Sequence, residues 1–124
     1  IRRIDDNLIA DSECTEILCP TITDFIPCPL LVDTLQNYAK KIRLGGKLII
    51  GGSDIFMLTL MVARRECSVI EANQIIYGGL VAHECKSGLV GINDIAGLLE
   101  EIGLKINKKS LTGINFIVEA ERVR

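Results

Sequence analysis

Aromatic side chains are scarce, with three Phe, two Tyr and no Trp in 124 residues. That leaves little material for the stacking platforms on which single-stranded nucleic acids are held. An excess of one charge is also lacking: 14 Lys and Arg stand against 16 Asp and Glu, for a net charge of -2. Such a balance provides no electrostatic footprint for a phosphate backbone, so the sequence carries no nucleic-acid signal. Long apolar runs are missing as well. The longest, Ile55 to Ala63, is interrupted by Thr59 and falls well short of the roughly 20 residues needed to span a bilayer, so no membrane partner is expected. The opening residues IRRIDD have neither the apolar stretch nor the cleavage site of a secretory signal, which makes a cytoplasmic location the default expectation. The five cysteines are odd in number and include no C-x-x-C pair. They predict plain thiols, with no disulfide framework and no metal site.

What is present is an alternation of short apolar runs and amphipathic stretches. Asn7 to Ala10, closed by Asp11, and Glu16 to Cys19, closed by Pro20, each read as a strand. Pro27 and Pro29 delay a helix until Leu30, after which Val32, Leu35, Ala39 and Ile42 recur at spacings of three and four. Lys40, Lys41 and Arg43 suit the negative end of that helix, and Gly45-Gly46 is expected to end it in a tight turn. Lys47 to Ile50 reads as a strand buried on both faces, ended by Gly51-Gly52-Ser53-Asp54.

Ile55 to Glu66 is apolar almost all round, which predicts a helix either packed deep in the fold or meeting another chain, as in a homodimer. Phe56, Met57, Leu60 and Met61 are its expected buried residues. Ser68 and Glu71 have capping-box spacing and start a short helix that Gly78-Gly79 stops. Val81 to Gly91 reads as a loop carrying the single histidine, His83. Asn93 is placed to cap a helix with the stripe Ile95, Leu98, Leu99 and Ile102, stopped by Gly103. Leu104 to Leu111, a Thr112-Gly113 turn and Ile114 to Glu121 predict a terminal antiparallel hairpin. The whole is expected to be one α/β domain over residues 1–124, a three-layer sandwich with a mainly parallel sheet and a C-terminal antiparallel hairpin.

YAKKIRLGGKLIIGGSD, from Tyr38 to Asp54, resembles the helix, glycine turn and fifth strand of the class I S-adenosylmethionine-dependent methyltransferases. LLEEIGLKINKKSLTGINFIVEAER, from Leu98 to Arg122, is similar to the last helix and hairpin of the same family. Between them, ANQIIYGG and HECKSGL are similar to segments of a compact bacterial and phage subgroup. The resemblance implies a Rossmann-like methyltransferase fold, with S-adenosylmethionine lying across the carboxyl ends of the strands. Its methyl group would pass to an unidentified acceptor, mostly by alignment of the nucleophile with the methyl carbon. No nucleophilic triad is implied, and none is seen.

By the same resemblance Asp11 falls where an acid accepts hydrogen bonds from the cofactor's ribose, though a solvated loop carboxylate explains it equally well. Cys19, Pro20 and Thr21 follow the strand beside the methyl-transfer centre, and Asp24 falls at an acidic position of the subgroup. The subgroup's neighbouring histidine is replaced here by Phe25, and the one before lysine-serine-glycine by Cys85. His83 with Glu84 could orient a proton acceptor, or be an ordinary exposed pair. Asp54 could face the substrate opening, or simply cap the next helix.

Nothing before Asp11 resembles the family's first strand and glycine-rich loop, so the expected fold is N-terminally truncated relative to it. The chain begins with Ile, which leaves the expectation that this element lies upstream or has been lost. Three readings follow: a methyltransferase, a non-catalytic remnant of that fold serving as a binding or assembly subunit, and a flavodoxin-like or receiver-type module. The last does not account for the terminal antiparallel hairpin.

Overall fold

The computed structural model describes residues 11–78 and 88–123. The strand expected at Asn7 to Ala10 lies outside the described residues, as do His83 and Glu84. β1 spans Cys14–Cys19 and is followed by two 3-10 turns, Ile22–Phe25 and Cys28–Leu30. Pro29 sits within the second turn, and α1, Leu31–Lys41, starts directly after it.

The predicted periodicity of α1 is right at Leu35 and Ala39, but its first core residue is Leu31 in place of Val32. Leu31, Leu35, Tyr38 and Ala39 are buried, whereas Val32 is exposed. Ile42, expected on the helix, is instead the first residue of β2, Ile42–Ser53, and is fully buried there. Gly45-Gly46 therefore does not end the helix. It lies in an irregularity of β2, where the register with β1 jumps from Cys14 opposite Ile42 to Glu16 opposite Lys47. Gly45 takes φ +82°, a conformation that costs glycine nothing, so the strand can loop out and rejoin its partner.

α2 covers Ile55–Ala63, α3 Val69–Tyr77 and α4 Ile92–Ile102; β3, Leu104–Thr112, and β4, Asn115–Arg122, close the chain as a hairpin. The hairpin turn falls at Gly113-Ile114, one residue later than expected. Gly103 stops α4 at φ +108°, as its position predicted. The cap of α4 differs: its N-cap is Gly91, whose amide donates to Asp94, while Asn93 inside the helix accepts from Lys109. The predicted capping box of α3 forms between Ser68 and Glu71.

The sheet order is β1-β2-β4-β3. β1 and β2 are parallel, and β4 is antiparallel to both β2 and β3. Thus β4, the last strand in the chain, fills the space between β2 and β3. Strict alternation in β4 buries Phe116, Val118 and Ala120, which share a face with Ile17, Leu48 and Ile50. α1 and α4 cover that face, bringing Leu35, Tyr38, Ile95 and Leu99 into one core. On the opposite face Glu16, Lys47, Glu121 and Lys105 stand in register across all four strands, alternating in sign.

α2 departs from the expectation of deep burial. Only Leu58 is buried; Phe56 and Leu60 are exposed, and Met57 and Met61 are half-buried. The reason is its partner: Leu58 packs with Cys67 and Ala72 in a small cluster of its own, apart from the main core. No helix among the described residues is long and apolar enough to cross a membrane.

Candidate functional site

The parallel pair β1 and β2 sends both carboxyl ends to the same edge of the sheet, where ligands of open α/β sheets bind. Cys19 ends β1 opposite Ile50, and Pro20 and Thr21 follow as an exposed turn. The chain then folds back in the 3-10 turn Ile22–Phe25, placing Thr23 and Asp24 against the end of β2. Thr23 Oγ1 donates to the carbonyl of Gly51 at 3.0 Å. Asp24 accepts from the Ser53 amide at 2.8 Å and from the Ser53 hydroxyl at 3.1 Å. Both side chains are buried, so the carboxylate clamps the β1 loop onto β2.

The clamp explains the glycines. A Cβ on Gly52 would overlap Thr23 Oγ1, and one on Gly51 would run into the carbonyls of Phe116 and Pro20. Gly51 and Gly52 are therefore close-packing positions, not a phosphate cradle, as expected from their lack of the G-x-G-x-x-G pattern.

Asp54 is 2% exposed and bonded at both oxygens. Its Oδ1 accepts from the Met57 amide at 2.8 Å, capping α2, and its Oδ2 accepts from the Ile92 amide at 2.8 Å, capping α4. Its own amide donates to the Ile114 carbonyl of the hairpin turn. Of the two roles the sequence left open for Asp54, the geometry displays capping. Asp54 also floors a small, mostly apolar concavity of about 270 Å³ whose walls include Phe56, Met57, Leu60, Ile92 and Leu111.

Asp11 is not brought together with Cys19, Pro20 and Thr21. It precedes β1, and its Oδ1 pairs with Lys41 Nζ at 3.2 Å, at the end of α1. Ser12 beside it donates to the Lys40 carbonyl and accepts from Arg122, which also reaches the Ile42 carbonyl. These contacts hold Asp11 at the amino edge of the parallel pair, with the six residues of β1, about 20 Å long at about 3.3 Å per residue, between it and Thr21. A wider concavity of about 650 Å³, lined by Gln36, Lys40, Glu101, Gly103 and Arg122 among others, also lies at that amino edge. It is remote from the carboxyl ends, so its size does not make it the candidate site.

Burial pushes the Cys19 thiol above its ordinary range. A thiol so shifted stays protonated at neutral pH and is a poor nucleophile. Its contribution to stability is fully present below the ordinary thiol range near pH 8.5. Above that the unfolded chain ionises freely while the folded one resists, so stability falls as pH rises through the shifted value. Alkylation with iodoacetamide followed by peptide mapping should modify exposed Cys28 well before Cys19 and buried Cys67. Equal rates at these three sites would contradict the burial described.

No group of three His, Cys, Asp or Glu side chains among the described residues is placed to hold a metal ion. Thr23 and Ser53 are the site residues the sequence reading missed. The signal available was a Gly-Gly-Ser-Asp strand end needing a polar neighbour, but nothing local names Thr23 as that neighbour.

No protein-family model matches the sequence, and no curated protein matches it. Solved structures do. A SAM-dependent methyltransferase from Methanosarcina mazei is 11% identical, with a TM-score of 0.68, and the match covers 94% of this chain and 62% of that one. One from Archaeoglobus fulgidus is 8% identical, with a TM-score of 0.60 over the same shares. An O-methyltransferase family 2 protein from Planctomyces limnophilus, solved in complex with apigenin, is 12% identical with a TM-score of 0.60, covering 88% of this chain and 30% of that one. The chain thus spans less than two thirds of each of these proteins.

Proposed function

We propose that this chain, whose fold is that of the class I S-adenosylmethionine-dependent methyltransferases over the part it shares with them, supplies one wall of a cofactor site for methyl transfer. The observation that carries this reading is topological. A parallel pair followed by an antiparallel strand, inserted between β2 and β3, is joined to a fold match with solved methyltransferases at TM-scores of 0.60 to 0.68. Cys19, Pro20 and Thr21 stand at the carboxyl edge and would hold one side of the cofactor, whose sulfonium supplies the methyl group. Asp24 acts as a positioning residue, since its carboxylate fixes the turn that carries Thr21. Rate would come from alignment of an acceptor against the methyl carbon, which needs no free acid at this edge.

A second reading, a non-catalytic binding subunit on the same fold, is favoured by one fact: the two buried carboxylates at the carboxyl edge, Asp24 and Asp54, are occupied in holding the fold together.

Calorimetric titration with S-adenosylmethionine separates the two. The 124-residue chain is expected to bind weakly or not at all, because β1 has a neighbour on one side only among the described residues. Joined to an upstream strand and glycine-rich loop, it should bind, and Thr21→Trp should weaken that binding at least tenfold while Asp11→Ala leaves it unchanged. Binding lost with Asp11→Ala and indifferent to Thr21→Trp would place the cofactor elsewhere. No binding by the extended chain would leave the subunit reading in possession.

A further inference from the structure

α2 holds no charged residue, and its sequence IFMLTLMVA buries only Leu58. Phe56 is 65% exposed, and Leu60 and Val62 are exposed beside it in sequence. α3 continues the pattern: Val69 and Ile70 are each 73% exposed, and Tyr77 is nearly as open. Single exposed apolar residues need no explanation, but a run of them over two touching helices does.

From these observations we infer that the α2–α3 pair is the contact surface between two copies of this chain, related by a twofold axis. Two arguments select a second copy. The first is area. With full residue areas on the order of 150–230 Å², the exposed fractions of these side chains together present roughly 700 Å². A stable interface needs about 800 Å² per partner, so these side chains supply at most the larger part of it, and the exposed Thr59, Ala63, Asn73 and Gln74 among them complete the area. The second is charge. The centre is uncharged and so meets itself without burying an unpaired ion. The junction between the two helices carries both signs, with Arg64, Arg65 and Glu66 in the linker and Glu71 in the first turn of α3, all exposed. A twofold axis passing beside this junction sets one copy's arginines against the other's glutamates, where a partner of one sign would satisfy only half of them.

The test is sedimentation equilibrium of the chain at micromolar concentration, with circular dichroism alongside. The unaltered chain sediments as a dimer. Leu60→Lys converts it to monomers with helical signal unchanged, since Leu60 lies on an exposed helix surface and lysine is a good helix former. Leu18→Lys, on the exposed opposite face of the sheet, leaves the dimer intact. Hydrogen exchange gives a second readout: amides of residues 56–77 lose protection on dilution into the monomer range. A monomer at all concentrations, or a dimer broken by Leu18→Lys and indifferent to Leu60→Lys, overturns the proposal.

Discussion

Asp54→Ala is expected to lower the stability of the folded chain by about 3 kcal/mol. One N-cap removed costs about 1 kcal/mol on average, and this side chain caps two helices at once. Each loss stands toward the upper part of the range, about 1.5 kcal/mol, because the two amide donors are left without an acceptor where Asp54 is only 2% exposed. Asp54→Asn, which keeps one acceptor oxygen, should lose about half as much. Urea unfolding measures both, with the midpoint moving and the slope unchanged. Amide exchange at Met57 and Ile92 should accelerate together in the alanine variant. A loss below about 0.5 kcal/mol, or acceleration at only one of those amides, would show that the carboxylate does not join the two helices.

Gly52→Ala is expected to cost about 2–3 kcal/mol for a different reason. The added methyl collides with Thr23 Oγ1, the atom that bonds the Gly51 carbonyl, and Thr23 is too deeply buried to swing aside. The turn carrying Pro20, Thr21 and Asp24 must then lift from the end of β2, loosening the Asp24–Ser53 bonds as well. Thr23→Ala removes the colliding oxygen. The double variant should therefore lose less than the two single losses combined, by about 1 kcal/mol in a mutant cycle. The relief is partial, because Asp24 Oδ1 and Thr23 Cβ stand 3.0 and 3.1 Å from the added carbon. Strict additivity would mean that the collision is absorbed elsewhere.

Elements whose period is carried by several residues were legible in the sequence. The alternation in β4 and the stripe of α4 both lie where their spacing predicts, as does the parallel pairing of Lys47 to Ile50 with Glu16 to Cys19. Boundaries set by one or two residues were not. Gly45-Gly46 has the composition of a helix stop, yet only the pairing of β2 with β1 determines that it is a bulge within a strand. The first core position of α1 was missed because Leu31 and Val32 both fit the spacing to Leu35, and only the core selects between them. That the chain turns after Cys19 was legible from Pro20, but the bonds by which Thr23 and Asp24 tie that turn to β2 were not. Asp54 was legible as a cap for the helix beside it; that it also caps α4, through Ile92, 38 residues away, is a tertiary fact. Asp11 was read as closing the apolar run Asn7 to Ala10, which lies outside the described residues; that it pairs with Lys41 at the end of α1 is again a tertiary fact.

The position of β4 has a consequence for synthesis. A nascent chain that has emerged only as far as Thr112 contains β1, β2 and α1, yet β2 faces an open row of backbone groups where β4 belongs, and β3 has no neighbour at all among the described strands. Residue 48 meets residue 120, so the ribosome must release almost all of the described chain before the central pairing can close. Until then Leu48 and Ile50 lack the wall that Val118 and Ala120 provide, and the unpaired edge is open to other strands. Loss of β4 alone would divide the sheet at its middle, leaving a two-stranded remnant and a solitary strand.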